Sequence, residues 1–317
     1  DDVRSGKVQD ITWLYQEQGW TNAFPQGLLD SLTIDGKLYA VPVNIHRANL
    51  MWYSPTALQK LGIAAPPRTW EEFLRQAPLI KAQGRTPLAL GPEWTQKHLM
   101  ETVLLGVLGP DQYTGLWNGE VNWRSPEVVN ALEAFKLILQ YTDIKSASPD
   151  WQPQLDHVLD GSAVYAVMGD WAYSYLAITK KLIWEQDFDV VASPGTEGVF
   201  DFLSDTFTLP TGTRSETLAK KWLVECGSAA GQNLFNPLKG SIPARIDADP
   251  APYKDYLATN LQEWRNKDTK IVGSLAHGVV ANNALNAEID TALGLFLQDG
   301  NSAKFARTVA TKYRETK

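Results

Sequence analysis

The chain has 317 residues, a net charge of −7, 44% hydrophobic residues and 21% charged residues. That balance excludes wholesale disorder, and the acidic surplus argues against nucleic acid or an anionic membrane surface as the main partner. Cys226 is the single cysteine, which excludes an intrachain disulfide and every metal site built on paired cysteines.

No apolar run reaches the roughly 18 residues of a membrane span, and the charged opening Asp1-Asp2-Val3-Arg4 does not read as a signal peptide. In chain order, Lys37 to Ile45 and Asn49 to Tyr53 read as extended. Thr69-Trp70-Glu71-Glu72 is a capping box with apolar residues following at helical spacing. Ser125-Pro126 starts a second helix, with Val128, Leu132, Phe135 and Leu139 on one face. Ser162 to Met168, Phe188 to Ala192 and Val199 to Leu203 read as strands. Ser215 opens a helix carrying Leu218, Trp222, Leu223 and Cys226; others cover about 283 to 298 and run onward from Asn301. Alternating helices and strands predict an α/β fold. The length suggests two domains of roughly 150 residues. No Gly/Ser linker separates them, so two lobes here are interleaved by several crossings.

Searches for enzyme motifs return no GxGxxG, Walker A loop, GxSxG or HExxH. The histidines, at 46, 98, 157 and 277, are scattered, and no metal or cofactor is expected. A glycosidase pair such as Asp170 with Asp205 stays open. The unusual feature is tryptophan: 12 Trp against 11 Tyr and 10 Phe invite a search for a surface built from flat apolar faces with a polar edge. Several aromatic and polar residues fall at turns rather than on helix faces. Gly169-Asp170-Trp171 ends a strand and opens a helix, and Trp151 precedes the helix of Leu155 and Val158. Ser204-Asp205-Thr206 follows a strand, Asn236 to Gly240 is a loop after a helix, and Gly273 to Gly278 is a glycine-bounded loop around His277. Such turns line the clefts of α/β proteins. Indole faces, a carboxylate, an ammonium and an imidazole suit a neutral sugar: the ring covers C–H groups while the charged groups bond hydroxyls. Each residue also has a plainer reading. Trp151 and Trp171 fit core or rim, Asp170 an N-cap, Asp205 and Lys239 surface charges, His277 loop structure, and His46 a satisfied buried histidine. Trp20, Trp52, Trp70, Trp117, Trp123, Trp184, Trp222 and Trp264 read as packing, and Trp94 is left undecided.

Together, Val41 to Arg47, Met168 to Trp171, Ser193 to Thr196, Leu203 to Asp205, Phe235 to Ser241 and Ile271 to Gly278 resemble the glucose/galactose-binding proteins of bacterial ABC importers. These belong to the wider family of extracellular solute-binding proteins that includes the maltose-binding protein. The likeness runs from about residue 13 to the C-terminus and rests on the order and spacing of the motifs. It implies a periplasmic-binding-protein-like fold of two α/β lobes with hinge crossings near His46, Ser204 and Gly273. One lobe is then residues 1–47 and 204–273, the other 48–203 and 274–317. It further implies that Trp151 and Trp171 stack on sugar, that Asp205 accepts from hydroxyls, that Lys239 donates, and that His277 also contacts sugar. His46 and Trp94 match contact positions of the maltose-binding relatives.

The likeness lacks the family's opening strand–helix units, so the chain is roughly a fifth shorter and the N-terminal lobe is expected to be incomplete. A separate chain supplying that segment, a cut chain and a naturally reduced lobe are the readings this leaves. An open sheet there demands cover. The function implied is extracytoplasmic, periplasmic or lipid-anchored: a non-enzymatic protein that takes up a monosaccharide, glucose or galactose foremost, in an interlobe cleft. Hinge closure on the sugar then presents it to the permease subunits of an ABC importer. The alternatives are a truncated homologue acting as an interaction or regulatory protein and, behind it, a glycoside hydrolase.

Overall fold

The computed structural model of the protein describes residues 2–144 and 149–316. By packing, the chain forms two units, Asp1–His46 with Ser204–Gln262 and Arg47–Leu203 with Glu263–Lys317. This division differs from the lobes expected from sequence at Arg47 and over residues 263–273. Strand pairing is the cause. Lys270–Gly273 lies parallel to Val199–Leu203, with Ile271 opposite Phe200 and Gly273 opposite Phe202. Trp264 adds ring contacts to Phe200 and Phe202 at 5.1 and 5.8 Å.

The larger unit is built on a four-stranded mixed sheet. Thr86–Ala89 runs parallel to Ala163–Val167, which pairs antiparallel with Leu50–Tyr53, itself antiparallel to Asp189–Ala192. Ala163–Val167 is buried at every position, as befits a central strand covered on both faces. Trp70–Ala82 and Pro126–Leu139 pack apolar stripes into the core, where Phe135 stacks on Phe296 at 5.7 Å. Thr69 accepts from the Glu72 amide, as the capping box predicts, but the Glu72 carboxylate returns to the Arg68 amide instead of that of Thr69.

The long helix Glu93–Asn118 has no counterpart among the elements read from sequence. It breaks at Gly109, where φ is 76° and ψ 166°, ahead of Pro110. Residues 97–105 are buried without interruption, so no polar face announces the helical period. Gly106 sits where the helix meets the turn Ser193-Pro194-Gly195. A Cβ at 106 would stand 2.2 Å from the Pro194 carbonyl oxygen, and one at Gly195 would stand 2.3 Å from that of Gly106.

In the smaller unit Ala40–Pro42 pairs antiparallel with Thr206–Thr208. Its core gathers Tyr15, Trp20 and Phe24, with Trp20 edge-on to both neighbours. Asn236 to Gly240, expected as a loop, is instead the last turn of the helix Ala229–Lys239. Gly240 closes it at φ 82°, and the amides of Gly240 and Ser241 both donate to the Asn236 carbonyl. Trp222, read as packing, is 55% exposed with a ring contact to Phe207. Among the described residues no helix is long and apolar enough to cross a membrane.

Gly106→Ala forces the helix and the 193–195 turn apart, so the variant is expected to lose about 1–3 kcal/mol of stability, measured by thermal and denaturant unfolding.

Candidate functional site

In the larger unit four aromatic rings from three segments converge. Trp94 and His98 lie one turn apart on the long helix, their rings 6.2 Å apart and nearly parallel at 29°. Trp171 opens the short helix Trp171–Tyr173, and His277 sits in the loop after Lys270–Gly273. The Trp171 ring is 5.1 Å from His277, 6.0 Å from His98 and 6.2 Å from Trp94. His277 lies edge-on to His98 at 5.2 Å and stands 5.8 Å from Trp94. Gly169 makes this possible: a Cβ there would fall 2.1 Å from the Trp171 ring, which folds back over the glycine. The Trp171 indole N–H donates to the Met168 sulfur at 3.0 Å.

Trp94, Trp171 and His277 are half-buried, whereas His98 is sealed. His98 Nε2 lies 2.8 Å from the Ala48 carbonyl oxygen and so carries its proton. Burial pushes the His98 pKa down, against Glu101 and the Ala48 bond, favouring the neutral ring. Sequence reasoning gave His98 no role; its one available signal was the four-residue spacing from Trp94. Trp151 belongs to another aromatic pair. It directly precedes Gln152–Asp160, without a side-chain capping bond, and lies edge-on to Tyr175 at 5.7 Å, while the Tyr175 hydroxyl reaches Asp156.

Asp170, expected as an N-cap, makes no capping bond. Its buried carboxylate accepts from the Arg47 amide at 2.9 Å while its own amide donates to the Arg47 carbonyl at 2.9 Å. A carboxylate spent on the backbone in this way is poorly placed to act as the acid or base of a glycosidase.

In the smaller unit the polar residues singled out from sequence converge on Asp205. Its Oδ2 accepts from the Asn44 side-chain amide at 2.8 Å, and its backbone N–H donates back to Asn44 Oδ1 at 2.7 Å. His46 Nε2 and Lys239 Nζ stand 3.6 and 3.8 Å from the same oxygen. His46 is buried, whereas Asp205 and Lys239 each keep an edge open to solvent. His46, seconded by Asn44 and Lys239 and opposed by burial, holds the Asp205 carboxyl well below the ordinary carboxylate range. Lys239 reaches this point because Gly240 ends its helix there. Asn44 was not singled out, although it lies two residues before His46 in a quoted motif. Among the described residues no three His, Cys, Asp or Glu side chains are grouped to hold a metal ion.

Residues 3–233 match the family model described as bacterial extracellular solute-binding protein. The chain is 34% identical over 291 residues to an ABC transporter extracellular-binding protein of Pyrococcus horikoshii, a match covering 91% of this chain and 65% of the relative. It is 28% identical over 291 residues to a probable sugar-binding periplasmic protein of Mesorhizobium japonicum, covering 90% and 69%. The chain thus spans about two thirds of the length of these relatives. Among solved structures, the bacterial solute receptor AcbH matches with a TM-score of 0.81 over 99% of this chain and 80% of that one, at 19% identity. That last likeness is one of fold, the two-lobe α/β fold of periplasmic sugar-binding proteins. The chain belongs to the bacterial extracellular solute-binding protein family.

Two outcomes follow from this geometry. Gly169→Ala should displace the Trp171 indole, seen as a changed near-ultraviolet circular dichroism spectrum with the far-ultraviolet spectrum retained. Asp205 has a depressed folded pKa, so its stabilising contribution is present above the ordinary value of 3.8 and is lost only as pH falls through the lower folded value. A carbon-13 carboxyl titration should find Asp205 still ionised at about pH 3, where exposed aspartates are mostly protonated. His46→Ala should move its midpoint upward.

Proposed function

We propose that this member of the solute-binding family is a non-enzymatic, extracytoplasmic receptor for a monosaccharide, glucose or galactose foremost, which it delivers to the permease of an ABC importer. The observation that carries the reading is the half-buried cluster of Trp94, Trp171 and His277. Indole faces held in place but left partly wet suit the apolar C–H face of a pyranose. Within the smaller unit, the Asp205 group offers chemistry that suits sugar hydroxyls: an ionised acceptor beside an ammonium donor, both open to solvent on one edge. Trp151 is assigned a second stacking face, and His46 holds Asp205 ionised. The names of the relatives support a sugar ligand and an ABC transporter partner. The solute receptor AcbH is described as exclusively preferring β-D-galactopyranose, which makes galactose a necessary arm of any test.

Calorimetry and tryptophan fluorescence with glucose and galactose should give saturable signals. Trp171→Ala is expected to weaken binding by about 2 kcal/mol, or roughly 30-fold in Kd, and Asp205→Asn should weaken it as well. Absence of heat and of any fluorescence change at millimolar sugar would overturn the proposal. Turnover of a chromogenic glycoside that vanishes in Asp205→Asn would replace it with a hydrolase.

A further inference from the structure

The loop that presents His277 is held by a buried carboxylate on the same helix as two of the site's rings. Positions 94, 98 and 101 of the long helix fall on one face, at i, i+4 and i+7. Trp94 and His98 send rings into the cluster, and Glu101 sends its carboxylate to the loop. Glu101 is fully buried. Its two oxygens lie 2.9 and 3.1 Å from the Ser274 hydroxyl, which donates to them, and Oε2 also accepts from the Ala276 amide at 2.6 Å. The Ser274 oxygen in turn accepts from the His277 amide at 3.2 Å. An unbroken chain of hydrogen bonds therefore runs from Glu101 through Ser274 to the backbone of His277. The start of the loop is anchored separately, by the Ser274 amide on the Phe202 carbonyl.

A second buried carboxyl, Asp201, accompanies Glu101. Burial first, and the neighbouring Glu101 next, push Asp201 well above the ordinary carboxylate range, against the pull of Arg47. A carboxyl so dry is pushed toward its protonated form, and of the two it is Glu101 that bonds the loop.

We propose that Glu101 is a positioning residue of the sugar site: bonded to the Ser274 hydroxyl and the Ala276 amide, it sets the loop so that the His277 ring stands against Trp171 and Trp94. The proposal rests on the reading of that ring cluster as the sugar site, and it makes two separable claims, one about ring position and one about affinity.

The test uses the full chain. Glu101→Leu removes the acceptor, Glu101→Gln keeps one acceptor oxygen, and Ser274→Ala cuts the link while leaving the carboxylate in place. In sugar-free protein, the His277 Cε1–H resonance should carry a ring-current displacement from Trp171. That displacement should be lost in Glu101→Leu and Ser274→Ala and largely restored in Glu101→Gln. With galactose or glucose, Glu101→Leu should weaken binding about tenfold in the wild-type background and add nothing to His277→Ala, the non-additivity expected of groups that act as one. An unshifted His277 resonance in Glu101→Leu, or additive losses in the cycle, overturns the proposal. If Glu101→Leu does not fold, the Ser274→Ala resonance decides. A displaced resonance with no sugar binding in the wild type overturns the sugar reading and leaves the positioning role standing.

Discussion

A polar group sealed from water must find a partner within the chain or carry a penalty of about 1–3 kcal/mol, and the long helix Glu93–Asn118 is sealed over much of its length. Its polar side chains therefore reach outward in different directions. His98 bonds the Ala48 carbonyl, Glu101 the 274–276 segment, and Lys97 both Asp290 and Asn286. Each bond fastens the helix to a stretch of chain remote in sequence. The buried polar residues thus act as ties, and two of the tied segments carry or adjoin the ring cluster. Arg47 obeys the same rule. Its buried guanidinium bonds Asn49, the Val199 carbonyl and Glu263, joining the segments that open this unit to the one that returns to it.

Asp201 and Asp205 lie four positions apart, yet their surroundings push their pKa values in opposite directions. Asp201 is sealed beside another carboxyl and is pushed up; Asp205, half-open and flanked by His46, Asn44 and Lys239, is pushed down. Environment, not residue type, divides the labour. Only the second can meet a ligand as an anion, because only it combines charge with an edge open to solvent. The first, sealed and pushed toward its protonated form, is suited to structure.

Local signals made part of this legible in the sequence. The helices Trp70–Ala82, Pro126–Leu139 and Ser302–Glu315 announce themselves by a cap and a 3.6-residue stripe, and the caps are there: Thr69, Ser125 and Asn301 each accept from an amide in the first turn. The helix 93–118 does not, because burial on every side erases the stripe and Gly109-Pro110 looks like a stop. Asn236 to Gly240 misled for the converse reason: Pro237 and Gly240 look like a loop, but the proline falls inside the last turn and the glycine just beyond it. Of the candidate site, motif order pointed to Trp171 and His277, which the fold brings into ring contact. It was not legible at His98, Glu101 and Asn44, whose roles lie in hydrogen bonds and ring contacts to distant segments. Asp170 is the sharpest case. Standing just ahead of a helix it looks like a cap, and only folding shows that its partner is Arg47, 123 residues earlier.

The tryptophan excess divides along the same line. Trp20, Trp52, Trp70, Trp117 and Trp123 are buried and fill cores, whereas Trp94, Trp151 and Trp171 are half-buried beside polar or aromatic partners. A half-buried indole is fixed by packing on one side and wet on the other. Trp171 packs its benzo ring close over Gly169 and sets its N–H on the Met168 sulfur, so its rotamer is fixed by the protein itself. A ring already ordered loses little further entropy on stacking, and avoiding that loss of about 0.5–1.5 kcal/mol per side chain is how rigid aromatic surfaces bind small polar ligands that offer only a few apolar hydrogens. On the proposed sugar reading, fixing these rings falls to groups outside them: a glycine with no side chain and, through the His277 loop, the Glu101 side chain buried in the helix beneath.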